Sequence, residues 1–500
     1  MSAFIIGLFA HLFGIVNVIK NYDNAYFYRG YGYGITSGRW FLSVMGKIVE
    51  KFWGGDWNLQ FYNGIITLIL MAIAAYAIVR LFDIRDLRFC AVWAGIFIAF
   101  PSVTAMNFYV YTAPHYAISI LMVIAAVYLT VHFKFGFLPG AILGACAVGV
   151  YQAHFPIMIG LFVTVLIDKA MEGSDDFKEL FKKGILYFAT LILSLVLYFV
   201  VLKGLIYVFD IQLNAYQGID KMGEFNLSEL PEMLVYLYTS FFSIVKEDYM
   251  GISATGFTRT MILLLGVMSA FMIGYIIVKK REEILKKNKG LLILLLVIYP
   301  IAVNTIVLMC YRSYKHTLMI HAMVLIFLLP FLVYRHFAAL DTSEKGGKMF
   351  TRMKMGILVA FAMLILNYCY QSNAAYTALY FKNRQAENYW TSVITQVKMQ
   401  ENFTTDLKWA FVGQVHDELY WNPWDQDYYI GGNTNNILNA YSTDRFISQY
   451  LGYYIELADV EEQKRLSETE EVKNMPVYPN NGSIQILGDT IVIKFSDDIQ

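Results

Sequence analysis

Runs of about 20 mostly apolar residues recur along this chain, and no other property limits its fold as strongly. A helix that crosses the hydrocarbon core of a bilayer needs about that many residues. Inside lipid, only helices and closed barrels satisfy their own backbone polar groups. Such runs fall near 2–19, 58–81, 88–107, 114–133, 137–151, 155–171, 184–208, 257–278, 290–310, 316–334 and 353–371, about eleven in all. Composition agrees: 57% of the 500 residues are hydrophobic and only 16% are charged. Soluble domains average roughly 45–50% and about 25%. The formal net charge is zero, so nothing points to a nucleic-acid partner. The chain reads as a polytopic α-helical membrane protein with the lipid bilayer as its surroundings.

The first run lacks a basic leader and a small-residue cleavage site, so it reads as a retained helix rather than a signal peptide. The fifth and sixth runs are short and meet at Gln152-Ala153-His154-Phe155-Pro156. Pro156 removes a backbone donor, which predicts a break there. The four cysteines, Cys90, Cys146, Cys310 and Cys369, each lie in or beside an apolar run. Their spacing matches neither a disulfide framework nor a zinc site, and they read as small core residues.

Lysine and arginine crowd alternate connections. Arg80, Arg85 and Arg88, then Lys169, Lys178, Lys182 and Lys183, then Lys279 to Lys289, then Arg335 to Lys354 lie on one side, whereas 108–113 and 152–156 carry none. The positive-inside rule then places the N-terminus in the cytoplasm and the C-terminal part outside. Residues 1–371 form the membrane domain, with a first outer loop at 20–57 and a second at 209–256. Within the first loop, Trp40, Phe41, Val44, Ile48 and Phe52 recur at helical spacing, which predicts an amphipathic helix on the bilayer surface. In the second, Ser228-Glu229-Leu230-Pro231 opens a short helix. Residues 372–500 form a small extracytoplasmic α+β domain. It has strands around Trp409–Val415, a hairpin turning at Gly488-Asp489, and a helix over Asp444–Ile455.

The candidate chemistry gathers at the outer ends. Asn21-Tyr22-Asp23-Asn24 follows the first run directly. An ionised Asp23 can take a proton from a hydroxyl within hydrogen-bond reach, with Asn24 orienting either partner; a solvated loop acid or helix cap is the plainer alternative. Arg39, in Ser37-Gly38-Arg39-Trp40, can pair a phosphate or carboxylate, or lie on the bilayer surface. Tyr151, Gln152 and His154 at the break either face a cavity or satisfy freed backbone groups. Arg312 and Lys315 sit in a short outer connection where cations are unexpected; they hold an anionic group or contact ordinary headgroups. Trp421, Trp424, Tyr428 and Tyr429 can stack on sugars or pack the outer domain. No phosphate-loop pattern is present, which disfavours a nucleotide-sugar donor.

The acid after the first run, Ser37-Gly38-Arg39-Trp40, Gly149-Val150-Tyr151-Gln152, Met475-Pro476-Val477-Tyr478-Pro479 and Gly482-Ser483-Ile484 resemble, in order and placement, the bacterial GtrII-type glucosyltransferase family. The resemblance implies a GT-C-like fold in the cytoplasmic membrane of a bacterium. It also implies transfer of a hexose, with glucose as the family default, from a polyprenyl-phosphate carrier to a hydroxyl of a cell-surface glycan. That acceptor would be an O-antigen, a teichoic acid or another wall polysaccharide. Asp23 occupies the place of the family's catalytic acid, and Asn24 stands where relatives often carry a second one. The implied reaction is an inverting single displacement. Arg312 and Lys315 would be first, and Arg39 second, in holding the leaving phosphate. Asn24, Arg39, Trp40, Tyr151, Gln152 and His154 would bind substrate. No cofactor is evident; a divalent cation bridging Asp23 and the phosphate stays open. A transporter or flippase for lipid-linked glycans is the alternative, although the apolar runs hold almost none of the charges that ion-coupled carriers use.

Overall fold

The computed structural model describes residues 1–23, 34–55, 58–213, 227–311, 315–340, 344–415, 430–431 and 442–497. Helices dominate. In chain order they are α1 (Ser2–Val16), α2 (Trp40–Trp53), α3 (Gln60–Leu81), α4 (Leu87–Ala99), α5 (Pro101–Asn107), α6 (Ala113–His132), α7 (Phe137–Val150) and α8 (Phe155–Glu172). Then follow α9 (Phe177–Phe209), α10 (Leu230–Ser243), α11 (Gly256–Lys279), α12 (Leu291–Val303), α13 (Ile306–Met309), α14 (Leu329–Ala338) and α15 (Glu344–Lys398). A run of 3-10 helix, Thr317–Phe327, leads into α14.

Among the described residues, seven helices are long and apolar enough to cross a bilayer, and the pair α4 and α5, bent by 47°, makes an eighth. The remaining apolar runs of the sequence coincide with the shorter helices α1, α7 and α12. Local causes shorten them. α1 stops at Val16 because Asn17 is extended and its Nδ2 donates to the Phe13 carbonyl at 2.8 Å. That is the side-chain competition expected of Asn near a helix end. α7 stops at Val150 because Tyr151 is extended (φ −156°, ψ 112°), after which Gln152–His154 forms one 3-10 turn and Pro156 starts α8. The expected break is therefore present, one turn ahead of the proline.

The core joins segments far apart in sequence. His11 on α1 accepts from the Tyr376 hydroxyl of α15 at 3.0 Å through Nδ1, and donates from Nε2 to the Ile98 carbonyl of α4 at 2.8 Å. One polar residue in an apolar helix thus pins three helices. α7 packs between α6 and α9, and α8 against α12. α2 buries Trp40, Leu42, Ser43 and Gly46, while Val44, Ile48, Phe52 and Trp53 are exposed. That apolar stripe is what a helix lying on a bilayer presents.

α15 is 55 residues long. It carries the last apolar run and continues past residue 372, where the sequence reading put a domain boundary. The chain changes cores within it. Tyr376 and Leu379 pack with the membrane helices, whereas Ala386, Trp390 and Val393 pack with the C-terminal sheet. That sheet has the order β2-β1-β4-β3, with β1 (Lys408–Val412) parallel to both β2 (Glu456–Leu457) and β4 (Thr490–Lys494), and β3 (Ile484–Leu487) antiparallel to β4. The hairpin turns at Gly488, in the left-handed region at φ 66°, as the Gly-Asp pair predicts. The helix expected over 444–455 is shorter: α16 (Thr443–Arg445) widens into a π turn ending at Tyr450, and Gly452 at φ 77° redirects the chain into β2.

The molecule's two ends differ. At the end carrying the basic connections, charges are paired. The Asp168 carboxylate accepts from Arg335 at 2.5 Å and 2.7 Å and from His336 at 2.7 Å, and Asp86 pairs with Lys354. Lys280 and Lys287 donate to carbonyls at the C-terminal end of α8 and just beyond it. Asp168→Asn leaves Arg335 without its ion-pair partner. Because Arg335 is 38% exposed, the loss should be about 2 kcal/mol, short of the roughly 3–5 kcal/mol of a fully buried pair. Thermal unfolding in detergent measures it; an unchanged melting temperature would show that this cluster does not hold α8 to α14.

Candidate functional site

The segment after Gly34 is a tight turn closed by its own backbone. The Gly34 carbonyl accepts from Ser37 at 3.2 Å and from Arg39 at 2.7 Å, and the Ile35 carbonyl accepts from Gly38 at 2.9 Å. Gly38 sits at φ 72°, and a Cβ there would lie 2.6 Å from the Tyr198 hydroxyl and 2.8 Å from Gln152 Nε2. Glycine is therefore required both by conformation and by space. The crowding groups also hold the turn: Gln152 Nε2 donates to the Ser37 carbonyl at 2.8 Å, and the Tyr198 hydroxyl donates to the Gly38 carbonyl at 3.0 Å. The break between α7 and α8 thus grips the turn that carries Arg39.

Arg39 points into an aromatic group. Its Nη1 donates to the Tyr116 hydroxyl at 3.1 Å, and its guanidinium lies 4.9 Å from the centre of the Tyr151 ring. Tyr116 and Tyr151 are stacked, 4.6 Å apart with 22° between planes, and His154 meets both edge-on. The His154 ring is fixed in turn. Ser119 Oγ donates to the Ala147 carbonyl at 3.0 Å, so it accepts the Nδ1 proton of His154 across 2.8 Å. Trp40 lies against α7 where Gly149 leaves room, since a Cβ there would be 2.7 Å from the indole.

Among the described residues Arg39 makes no ion pair at contact distance. Its Nε is buried with no hydrogen-bond partner among them, and its one polar side-chain contact there is the Tyr116 hydroxyl. Burial works against the charge, but the oxygens of Tyr116, Tyr151 and Tyr111, and then the Asp23 carboxylate, hold its pKa above the ordinary arginine value. Asp23 is therefore within electrostatic reach of Arg39. A cation kept charged over π faces, in a site partly shielded from water, is suited to receiving an anion.

Asp23 is half-buried and held by its neighbours. Its backbone N–H donates to Asn21 Oδ1 at 3.0 Å. Lys20 is clasped by Asn383 of α15, which accepts from the Lys20 N–H at 2.5 Å and donates to its carbonyl at 2.7 Å. Burial lowers the Lys20 ammonium pKa to about 8. The Tyr22 hydroxyl bonds to that of Tyr109 at 2.6 Å. From the other side comes the C-terminal region. Ile430 is buried in the membrane core, the Gly431 N–H donates to Thr317 Oγ1 at 3.1 Å, and Arg445 feels the Asp23 carboxylate.

The structure thus brings together Arg39, Trp40, Tyr151, Gln152 and His154, with Asp23 at their edge. Lys315 lies apart from this aromatic group, its Nζ 5.1 Å above the Tyr236 ring of α10. Asn24, Arg312, Trp421, Trp424, Tyr428 and Tyr429 fall outside the described residues. Tyr198 and Arg445 were not singled out from the sequence; they stand in segments whose local pattern marks nothing. Tyr116 stands in the cluster Tyr109, Tyr111, Pro114, His115 and Tyr116, which in sequence reads mostly as an interfacial aromatic belt. Among the described residues no cluster of three or more His, Cys, Asp or Glu side chains could hold a metal ion.

A family model described as glucosyl transferase GtrII matches residues 12–334. The match begins within α1, ends within α14, and includes Asp23, Arg39, Trp40, Tyr116, Tyr151, Gln152, His154 and Tyr198; Asn383 lies beyond it. The late motifs at Met475–Pro479 and Gly482–Ile484 lie beyond it. No curated protein and no solved structure matches the chain.

Gly38→Ala should destabilise the protein by about 1–2 kcal/mol, since a left-handed backbone and two displaced hydrogen bonds are involved. Gly204→Ala is the control: it lies on α9 with nothing within 4 Å of an added Cβ, and should be neutral or slightly stabilising. Equal melting temperatures for the two variants would show that the turn does not need glycine.

Proposed function

The chain belongs to the glucosyl transferase GtrII family, and from that premise we propose that it transfers glucose from a polyprenyl-phosphate carrier to a hydroxyl of a cell-envelope polysaccharide. Its being a membrane-embedded glucosyltransferase, with a sugar donor and a glycan acceptor, follows from the family and the apolar helices. The carrier, the acceptor class and the residue roles are the proposal.

The observation that carries it is the buried guanidinium of Arg39, held against Tyr116 and Tyr151 and within electrostatic reach of Asp23. Transfer from a lipid phosphate needs a base at the attacking hydroxyl and a fixed cation at the departing phosphate. Asp23 takes the acceptor proton. The acceptor oxygen attacks the anomeric carbon, the bond to the phosphate oxygen breaks, and polyprenyl phosphate leaves with the electron pair in one inverting displacement. Arg39 stabilises the negative charge developing on that phosphate. Arg39 is placed ahead of Lys315 in this reading because Lys315 lies over Tyr236; Arg312 falls outside the described residues. Tyr116 and Tyr151 fix the guanidinium, and Gln152 fixes the turn beneath it. His154 and Trp40 shape the sugar pocket, with Asn24 on the Asp23 side. A divalent cation, if used, would have Asp23 as its side-chain ligand and would supply positive charge for the departing phosphate.

The site lies on the outer face of the bacterial cytoplasmic membrane, with the N-terminus inside and the outer domain covering the acceptor. The contrast between the two ends supports this. The paired basic residues Lys354, Arg335 and Lys280 lie opposite the Asp23 end, as the positive-inside rule asks of a cytoplasmic face. The eleven-crossing topology counts α1, α7 and α12 as crossings.

The test is transfer of radiolabelled glucose from its polyprenyl-phosphate carrier to envelope polysaccharide by purified protein in lipid. Asp23→Asn should lose about 10²-fold or more in kcat, the usual range for a general base. Arg39→Ala should lose about as much. Arg39→Lys should recover only part of it, since an ammonium lacks the planar fork. Transfer by Asp23→Asn at the wild-type rate would sink the reading.

A further inference from the structure

His316, just before the 3-10 run Thr317–Phe327, takes no part in the chemistry above. Its ring nevertheless connects the outer domain to the Asp23 turn. Nδ1 accepts a hydrogen bond from the Leu318 N–H at 3.0 Å, capping that run. Nε2 lies 3.3 Å from the Tyr109 hydroxyl. Tyr109 stands 2.6 Å from the Tyr22 hydroxyl, and the two rings meet edge to face at 6.1 Å. Tyr22 precedes Asp23.

The proton positions follow from the chemistry of each group. Burial lowers the imidazole pKa to about 4, so near neutral pH the ring is uncharged, with one N–H and one lone pair. The Leu318 N–H occupies the lone pair on Nδ1, so the proton is on Nε2 and is donated to Tyr109. Burial, and then Tyr22, raises the Tyr109 pKa well above its ordinary value and keeps its proton in place. Having accepted from His316, the Tyr109 hydroxyl donates to Tyr22. Tyr22 therefore receives a hydrogen bond and directs its own proton away from Tyr109. The order of donation is His316, Tyr109, Tyr22.

The outer domain holds the head of this relay. Gly431 lies against the imidazole so closely that a Cβ would be 2.6 Å from Nε2, and its N–H is bonded to Thr317. We infer that His316 is a positioning residue, clamped by Gly431 and linked through Tyr109 to Tyr22, so that seating the outer domain sets the placement of Asp23. Its Nε2–H is the atom that matters for turnover; its Nδ1 serves the helix cap. The inference rests on the assignment of Asp23 as base.

Two substitutions separate the nitrogens. Gln places an N–H donor near Nε2, and Asn places an acceptor near Nδ1. With polyprenyl-phosphate-linked radiolabelled glucose as probe, H316Q should keep kcat within about threefold. H316N and Y109F should each lose roughly tenfold in kcat with KM for the donor little changed, the scale of one well-placed hydrogen bond. The double variant H316N/Y109F should lose no more than either single one, since both break one chain. G431A should fall with H316N in kcat. Y109F removes one oxygen and keeps the ring, so it reads the relay even where a His316 variant folds poorly. Equal rates for H316Q and H316N, loss in H316Q alone, or multiplying losses in the double variant would each overturn the relay. Asp23→Asn in the same assay keeps the questions apart. If it still turns over, the assignment of the base fails. If it is silent while H316Q and H316N behave alike, only the relay fails.

Discussion

Gln152 spans the one contact on which the site depends. A helix that breaks inside a membrane protein frees backbone groups that lipid cannot satisfy, so a break survives only where protein surrounds it. Here the break is Tyr151, a single extended residue between α7 and α8. Protein covers it from the segment after Gly34: Gln152 bonds the Ser37 carbonyl, Tyr198 bonds the next carbonyl, and Trp40 fills the space left by Gly149. The same contacts that make the break tolerable hold the loop down and turn Arg39 inward over Tyr151. Packing and site geometry are one arrangement, and either would fail without the other.

A second constraint runs along α15. Its middle section packs against α1 and α4, and its last turns build the core of the C-terminal sheet through Trp390 and Val393. One continuous helix therefore contributes side chains to both cores. Asn383, between the two cores, clasps Lys20 just ahead of Asp23. Ile430 and Gly431 return to the same region from the C-terminal part of the chain. The Asp23 turn is thus held by Asn21 beside it, by Asn383 of the longest helix through Lys20, and by Tyr109 through Tyr22.

The fold was legible wherever a local pattern had a local cause. The Gly488-Asp489 hairpin, the start of α10 at Leu230-Pro231 and the amphipathic α2 follow from residues in contact with their own neighbours. Helix ends were less so. Asn17 halts α1 earlier than hydropathy suggests, and Gly452 ends the region after α16 before Ile455, because a side chain or a left-handed backbone outweighs the local preference. The continuity of α15 through residue 372 was hidden by composition. The helix leaves lipid and becomes polar without a break, and a change of solvent resembles a change of domain.

The sequence alone determined that this chain lives in a membrane, that its basic connections alternate, and that Asp23, Arg39 and the Tyr151–His154 break bear its family's motifs. Hydropathy and short motifs are properties of neighbouring residues, and a bilayer permits few alternatives. Only the tertiary structure decided which polar groups meet. Tyr116 and Tyr198 come from different helices; in sequence Tyr116 reads as one of an aromatic belt and nothing marks Tyr198. They matter because α6 and α9 flank α7 and point hydroxyls at the same loop. It also decided that Arg39, rather than Lys315, stands charged beside those rings. Whether a cation is compensated depends on what surrounds it in space, and a linear sequence does not specify that.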